Sequence, residues 1–193
     1  MGEIIKSNRH VIGKLILTHL VMTIFGTMVF LPFGNLSASG ALFLGCAGAV
    51  ALIFYIYLID VDVWYAGAEH KLRADAGKSR PNILAGFAVG FIAALPDIVI
   101  GALFVVFQLL FDYYESYPSG IVYQGILSVI QMINLLWSGM YMGIEYALLG
   151  TMSCWYHLAV PIIPITFTGI FYALGYSGSS FLKPPSKNNP DKA

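Results

Sequence analysis

Five apolar stretches, at residues 11–33, 39–59, 83–111, 120–143 and 158–176, take up most of this sequence and leave it few ways to fold. At a rise of about 1.5 Å per residue, ~20 residues of helix cross the hydrocarbon core of a bilayer. Charged residues make up 10% of the chain and hydrophobic ones 58%, whereas a soluble domain carries about 25% charge. A surface this poor in charge is not solvated by water over its whole extent, so lipid must be the main solvent. The expected fold is all-α: a polytopic membrane helix bundle of four to six spans, forming one domain over residues 1–182. The Lys/Pro/Asn-rich tail at 183–193 is expected to be disordered.

Lys and Arg set the expected orientation, because they accumulate on the cytoplasmic side of span ends. Lys6, Arg9 and Lys14 lie at the start of the first stretch, and Lys71, Arg73, Lys78 and Arg80 lie in the hydrophilic segment 60–82. The connections around Asn35 and around Asp112 and Glu115 hold no basic residue. The N-terminus and a loop at 60–82 are therefore expected in the cytoplasm. Five crossings would then leave Lys183, Lys187 and Lys192 outside, against the same rule. A sixth short span at 141–157, or a broken or re-entrant element near Pro161 and Pro164, removes the conflict and returns the C-terminus to the cytoplasm.

Composition excludes some functions. Ten basic residues balance ten acidic ones, so the chain lacks the basic footprint of a nucleic-acid binder. Cys46 and Cys154 both fall in apolar stretches and read as buried thiols rather than a disulfide. Ala76-Gly77-Lys78-Ser79 resembles the end of a phosphate-binding loop, but Leu72 stands where the motif needs its first glycine. Asp60, Asp62, Glu69 and His70 crowd one segment, yet Asp60 and Asp62 would project about 200° apart on a helix. That spacing forms no closed metal site, and neither a metal nor a cofactor is expected. No catalytic grouping is apparent, so the expected activity is not enzymatic.

Polar residues inside apolar stretches carry the functional argument, since charge at the bilayer centre costs about 2.5–3.5 kcal/mol. Pro96-Asp97 falls in the third stretch, where proline removes a backbone donor. Asp97 is then either a hydrogen-bonded residue at a structural kink or a cation or proton site at a broken helix. In the fourth stretch Gln124, Gln131, Ser138 and Glu145 recur every seven residues, with Ser128 and Asn134 on the same side. Such a face lines either a packed bundle interior or a polar pathway. Asp97, Glu145, Gln131, Asn134 and Gln124 are the candidate pathway or ion-binding residues. Gly86 and Gly90 form a small-xxx-small pair suited to close helix packing, within the chain or against a second membrane protein. His19 and His157 show no partner at this level.

Trp64, the run Gly67-Ala68-Glu69-His70-Lys71, Gly86, Gly90, Ala93 and Pro96, with the closing segment from Tyr172 to Gly178, resemble small multi-pass membrane proteins of Gram-positive bacteria. That group has no assigned activity. The resemblance implies a bacterial plasma membrane and transfers no site. Two functions remain: a small transporter or channel-like protein, or a subunit of one, handling a cation or small polar solute, and a scaffold binding itself or another membrane protein in the bilayer.

Overall fold

A computed structural model describes residues 2–30, 38–117, 119–150 and 153–179. Among these residues the chain forms helices and no strands. The helices are α1 (Gly2–Phe30), α2 (Ala38–Asp75), α3 (Ala85–Ala93), α4 (Leu95–Tyr114), α5 (Gly120–Leu149), α6 (Cys154–Ala159) and α7 (Ile162–Ser177). The segments Ile5–Val29, Gly40–Asp75, Leu95–Tyr114, Gly120–Leu149 and Cys154–Ser177 are long and apolar enough to cross a membrane. The expected all-α bundle is the observed one, and it fits a multi-pass membrane protein. Its outer surface carries large apolar side chains such as Met28, Leu42, Val50, Ile53 and Ile121, an arrangement that only a lipid solvent tolerates. The tail at 183–193 and the turn around Pro32, Gly34 and Asn35 lie outside the described residues.

The expected loop at 60–82 is mostly helix. Residues 60–75 continue α2, and the non-helical connection begins only at Ala76. Its charges concealed a helical stripe, in which Tyr55, Ile59, Val63 and Ala66 are all buried in the main core. Most of the charges are accommodated on the outer faces, although Asp60 is buried. Glu69 pairs with Arg73 one turn later at 2.6 Å, and Lys14 of α1 reaches Asp62 at 2.6 Å. At 38 residues the helix is about 57 Å long, well beyond the ~30 Å hydrocarbon core.

The third stretch is broken rather than continuous. Helix α3 ends at Ala93, and α4 starts at Leu95 with Pro96 in its first turn. Proline has no N–H to give the preceding turn but suits the start of a new one. The last stretch is broken as well: α6 ends at Ala159, and α7 begins after Pro161. Helix α5 bends at Ser138, whose backbone is non-helical (φ −111°, ψ 15°).

Helix α7 packs along both α2 and α3. The Trp64 indole donates to the Ser179 carbonyl at 2.7 Å, and the Tyr172 hydroxyl meets His70 Nδ1 at 2.7 Å. Tyr172 also lines a cavity with Ser7, Asn8 and His10 of α1. The C-terminal end of α7 therefore lies at the same end of the bundle as the start of α1 and the end of α2. The basic clusters of α1 and α2 share that end, while Lys183, Lys187 and Lys192, which raised the parity conflict, lie outside the described residues.

Gly86 and Gly90 make the α3–α7 contact. A Cβ on Gly90 would lie 2.9 Å from Thr168 Cβ and 3.1 Å from Ile165 Cα, and one on Gly86 would collide with Tyr172. This face is closed within the chain. Gly90→Leu is expected to lower stability by about 1–3 kcal/mol through overpacking, measured as a shift of the unfolding midpoint in detergent.

Candidate functional site

Asp97 stands in the first turn of α4, just past the break, and is 6% exposed. An ionised carboxylate there needs partners, and two side chains from distant helices supply them. Trp137 of α5 donates its indole N–H to Asp97 Oδ1 at 2.8 Å. His19 of α1 places Nε2 at 3.2 Å from the same oxygen. The imidazole also sits 3.0 Å from the Trp137 carbonyl through Nε2 and 3.2 Å from the Tyr55 hydroxyl through Nδ1. These partners select the tautomer. Nε2–H donates to the Trp137 carbonyl, so a neutral ring carries its proton there and accepts from Tyr55 at Nδ1. The 3.2 Å approach to Asp97 is electrostatic rather than a hydrogen bond. A protonated ring donates from both nitrogens, with the Tyr55 hydroxyl turned to accept.

The local fold explains why the ring is held. His19, Thr23 and Thr27 follow one another at helical spacing on α1, and all three are buried. The bend at Ser138 opens the α5 ladder, and the exposed carbonyls take hydroxyl donors from that stripe. Thr23 donates to the Trp137 carbonyl at 2.5 Å, and the Thr27 hydroxyl, which donates back to the Thr23 carbonyl at 2.8 Å, also lies 3.3 Å from the Leu135 carbonyl. The His19 ring stacks on Trp137 with centroids 5.3 Å apart. Tyr141, fully buried, lies beyond Tyr55, and its hydroxyl has no hydrogen-bond partner among the described residues.

Glu145 of α5 and His157 of α6 form a second buried carboxylate–histidine pair. Glu145 is 2% exposed; Oε1 accepts the Ser153 backbone N–H at 2.6 Å, and Oε2 lies 3.2 Å from His157 Nε2. The histidine contact is electrostatic, because its geometry is not that of a hydrogen bond. Gly101 of α4 allows this approach, since a Cβ there would stand 2.8 Å from the His157 carbonyl oxygen. The Phe104 ring packs on the imidazole at 5.6 Å.

Trp137 and Glu145 are eight residues apart, or about 12 Å along an α-helix. Tyr141 lies between them; its ring is 6.2 Å from that of His19, and its carbonyl lies 3.4 Å from the Tyr156 hydroxyl. The two pairs thus adjoin one another along α5. The void beside Asp97, lined by His19, Tyr55, Gly90 and Thr168, is only about 10 Å³ and does not reach Glu145.

The rest of the expected polar face is divided by the bend. Asn134 and Ser138 are buried, and the serine hydroxyl donates to Asn134 Oδ1 at 3.2 Å. Gln131 is half-buried. Gln124 and Ser128 are exposed, with the Ser128 hydroxyl bonded back to the Gln124 carbonyl at 2.9 Å. Gln124 therefore lines no buried path within this chain, because the first half of α5 packs mainly on α4 while only the second half enters the core. Cys154 is buried but Cys46 is exposed, and both are free thiols. Among the described residues no group of His, Cys, Asp and Glu has the arrangement of a metal site. No family model, curated protein or solved structure matches the chain.

Proposed function

We propose that this chain is a multi-pass protein of a bacterial plasma membrane that passes protons through its core, alone or as a membrane subunit. The observation that supports this reading is the His19–Asp97 pair, 3.2 Å apart and buried in an apolar bundle, with the imidazole hydrogen-bonded to the Tyr55 hydroxyl and the Trp137 carbonyl so that it is satisfied both neutral and charged. Buried ionisable pairs inside membrane bundles are the usual elements of proton relays. A void of about 10 Å³ has room for roughly one water, which favours a proton over a small polar solute. Glu145 and His157 extend the same chemistry along α5, with the Tyr55 and Tyr141 hydroxyls between the two pairs. An accessory role that docks a partner on the Gly86/Gly90 face lacks support, because α7 occupies that face.

The test is proton flux into liposomes carrying the purified full-length chain, driven by a potassium–valinomycin potential and read with an internal pH dye. Wild-type protein should acidify the lumen, and Asp97→Asn and Glu145→Gln should each suppress the rate. Wild-type liposomes as tight as empty ones, or both variants as fast as wild type, would overturn the reading.

A further inference from the structure

A cavity of about 640 Å³ opens at the end of the bundle where α1 begins and α2 ends. It is far larger than the void at Asp97, and its wall is unlike the rest of the chain. Arg73, Lys78 and Arg80 contribute three permanent positive charges, and Glu69 is the one carboxylate. Glu69 is already engaged by Arg73 at 2.6 Å. Neither Lys78 nor Arg80 forms an ion pair with a described carboxylate. His10 and His70 are the other titratable groups on the wall apart from Tyr172. Their protonation would add to the positive field and not oppose it.

The wall is also built. Gly77 adopts a left-handed backbone (φ 69°) that turns the chain out of α2, a conformation glycine takes without penalty. The turn presents Lys78, Ser79 and Arg80 in succession on the cavity wall. His70 then holds the loop, with Nε2 at 3.1 Å from the Arg80 carbonyl and Nδ1 at 2.7 Å from the Tyr172 hydroxyl. Ser79 Oγ is shut off from solvent and has no hydrogen-bond partner. A hydroxyl in that state is costly unless a ligand or water completes it. Two unpaired cations, a third at the rim and a waiting hydroxyl match the needs of a phosphate group, which takes charge-assisted hydrogen bonds on several oxygens.

We infer that the cavity between α1, α2, the 76–84 connection and α7 is a binding site for a phosphate-bearing anion, held by Lys78, Arg80 and Ser79. The site does not depend on the proton reading and stands or falls apart from it. It also gives a role to the Gly77-Lys78-Ser79 run, which is not a nucleotide-binding loop. The phosphate can come from an anionic lipid headgroup or from solution, and binding tells the two apart.

Full-length protein in neutral detergent is offered phosphatidylglycerol or phosphatidylcholine and read by native mass spectrometry, and is separately titrated with inorganic pyrophosphate by calorimetry. Saturable retention of phosphatidylglycerol over phosphatidylcholine assigns a lipid headgroup, and pyrophosphate binding without lipid preference assigns a soluble phosphate. In either case the Lys78→Gln/Arg80→Gln double variant should bind about tenfold or more weakly. Ser79→Ala, which leaves every charge in place, should bind about threefold more weakly. Both changes lie in the connecting loop, and an unchanged unfolding curve will confirm that the bundle is intact. Lys71→Gln removes a nearby charge that does not line the cavity and should leave binding unchanged. Binding of neither probe, or an equal loss in Lys71→Gln, overturns the site.

Discussion

Gly139→Val is expected to lower the stability of the bundle by about 3 kcal/mol or more, whereas Gly125→Val on the same helix should change it by less than about 1 kcal/mol. The difference lies in what a Cβ meets. At Gly139 it would collide with the Thr27 hydroxyl and stand 2.7 Å from the Thr23 carbonyl oxygen and 2.8 Å from the Thr27 nitrogen. From the other side, a Cβ on Gly26 would collide with the Met140 backbone. Backbone crosses backbone here, so no flexible side chain can swing away to relieve a clash. Overpacking costs about 1–3 kcal/mol where side chains can yield and more where they cannot. Valine would also drive α1 off the Trp137 carbonyl, losing the Thr23 and His19 hydrogen bonds. Gly125 has no atom within 4 Å of an added Cβ, so valine there only changes the local helix preference. Chemical denaturation in a fixed detergent, followed by tryptophan fluorescence, measures both. Equal midpoints for the two variants would show that the crossing is not as tight as its geometry states.

Much of the architecture was legible because lipid imposes coarse requirements on sequence. A long apolar run has few folded forms in a membrane other than a helix, so the stretches at 11–33, 39–59 and 120–143 are found as helices, with shifted ends. Pro96 marked the break in the third stretch, and Pro161 and Pro164 marked the one in the last. The extension of α2 was hidden because Asp60, Asp62, Glu69, Lys71 and Arg73 read as loop chemistry by composition. Only the four-, four- and three-residue spacing of Tyr55, Ile59, Val63 and Ala66 reveals the helix. The bend at Ser138 had a signal in the adjoining Ser138-Gly139 pair, a pairing at which helices kink, but the seven-residue spacing of the polar residues assumes a straight helix and passes over it. Without it, Gln124 and Glu145 look like one face, when only the second half of that face is buried.

The candidate site was half legible for a related reason. Asp97 and Glu145 stand out by cost, as carboxylates in apolar stretches. Their histidines do not, because His19 lies 78 positions before Asp97 and His157 sits across a helix break from Glu145. The spacing of His19, Thr23 and Thr27, four residues apart each time, was the signal available in α1. It identifies a polar stripe but not what the stripe faces. Trp137 and Tyr55 gave no signal, since an aromatic in a membrane helix is ordinary; what distinguishes them is the polar atom each aims at the pair.

Asp97→Ala is expected to lower stability by about 2–5 kcal/mol, and to do so far less in a chain that already carries His19→Ala. Alone, the alanine leaves the Trp137 N–H without its acceptor at 2.8 Å and removes the carboxylate 3.2 Å from His19 Nε2. Each buried polar group left unpaired costs about 1–3 kcal/mol. His19→Ala alone strips the Tyr55 hydroxyl of its partner at 3.2 Å and removes the imidazole facing the carboxylate, leaving the Trp137 indole beside it. With both gone the unmatched charge disappears, so the double variant should be more stable than the two losses added together predict. A coupling of about 1–3 kcal/mol is the range for residues in direct contact. Asp97→Asn separates structure from transport. Its amide oxygen can still accept from Trp137, so stability should fall by no more than about 1–2 kcal/mol, while loss of the titrating carboxylate should abolish proton flux. Unfolding curves and flux must therefore be recorded on the same preparations. Additive losses within about 0.5 kcal/mol would mean that the pair is not coupled, and an Asp97→Asn protein that still passes protons would leave the pair with a purely structural role.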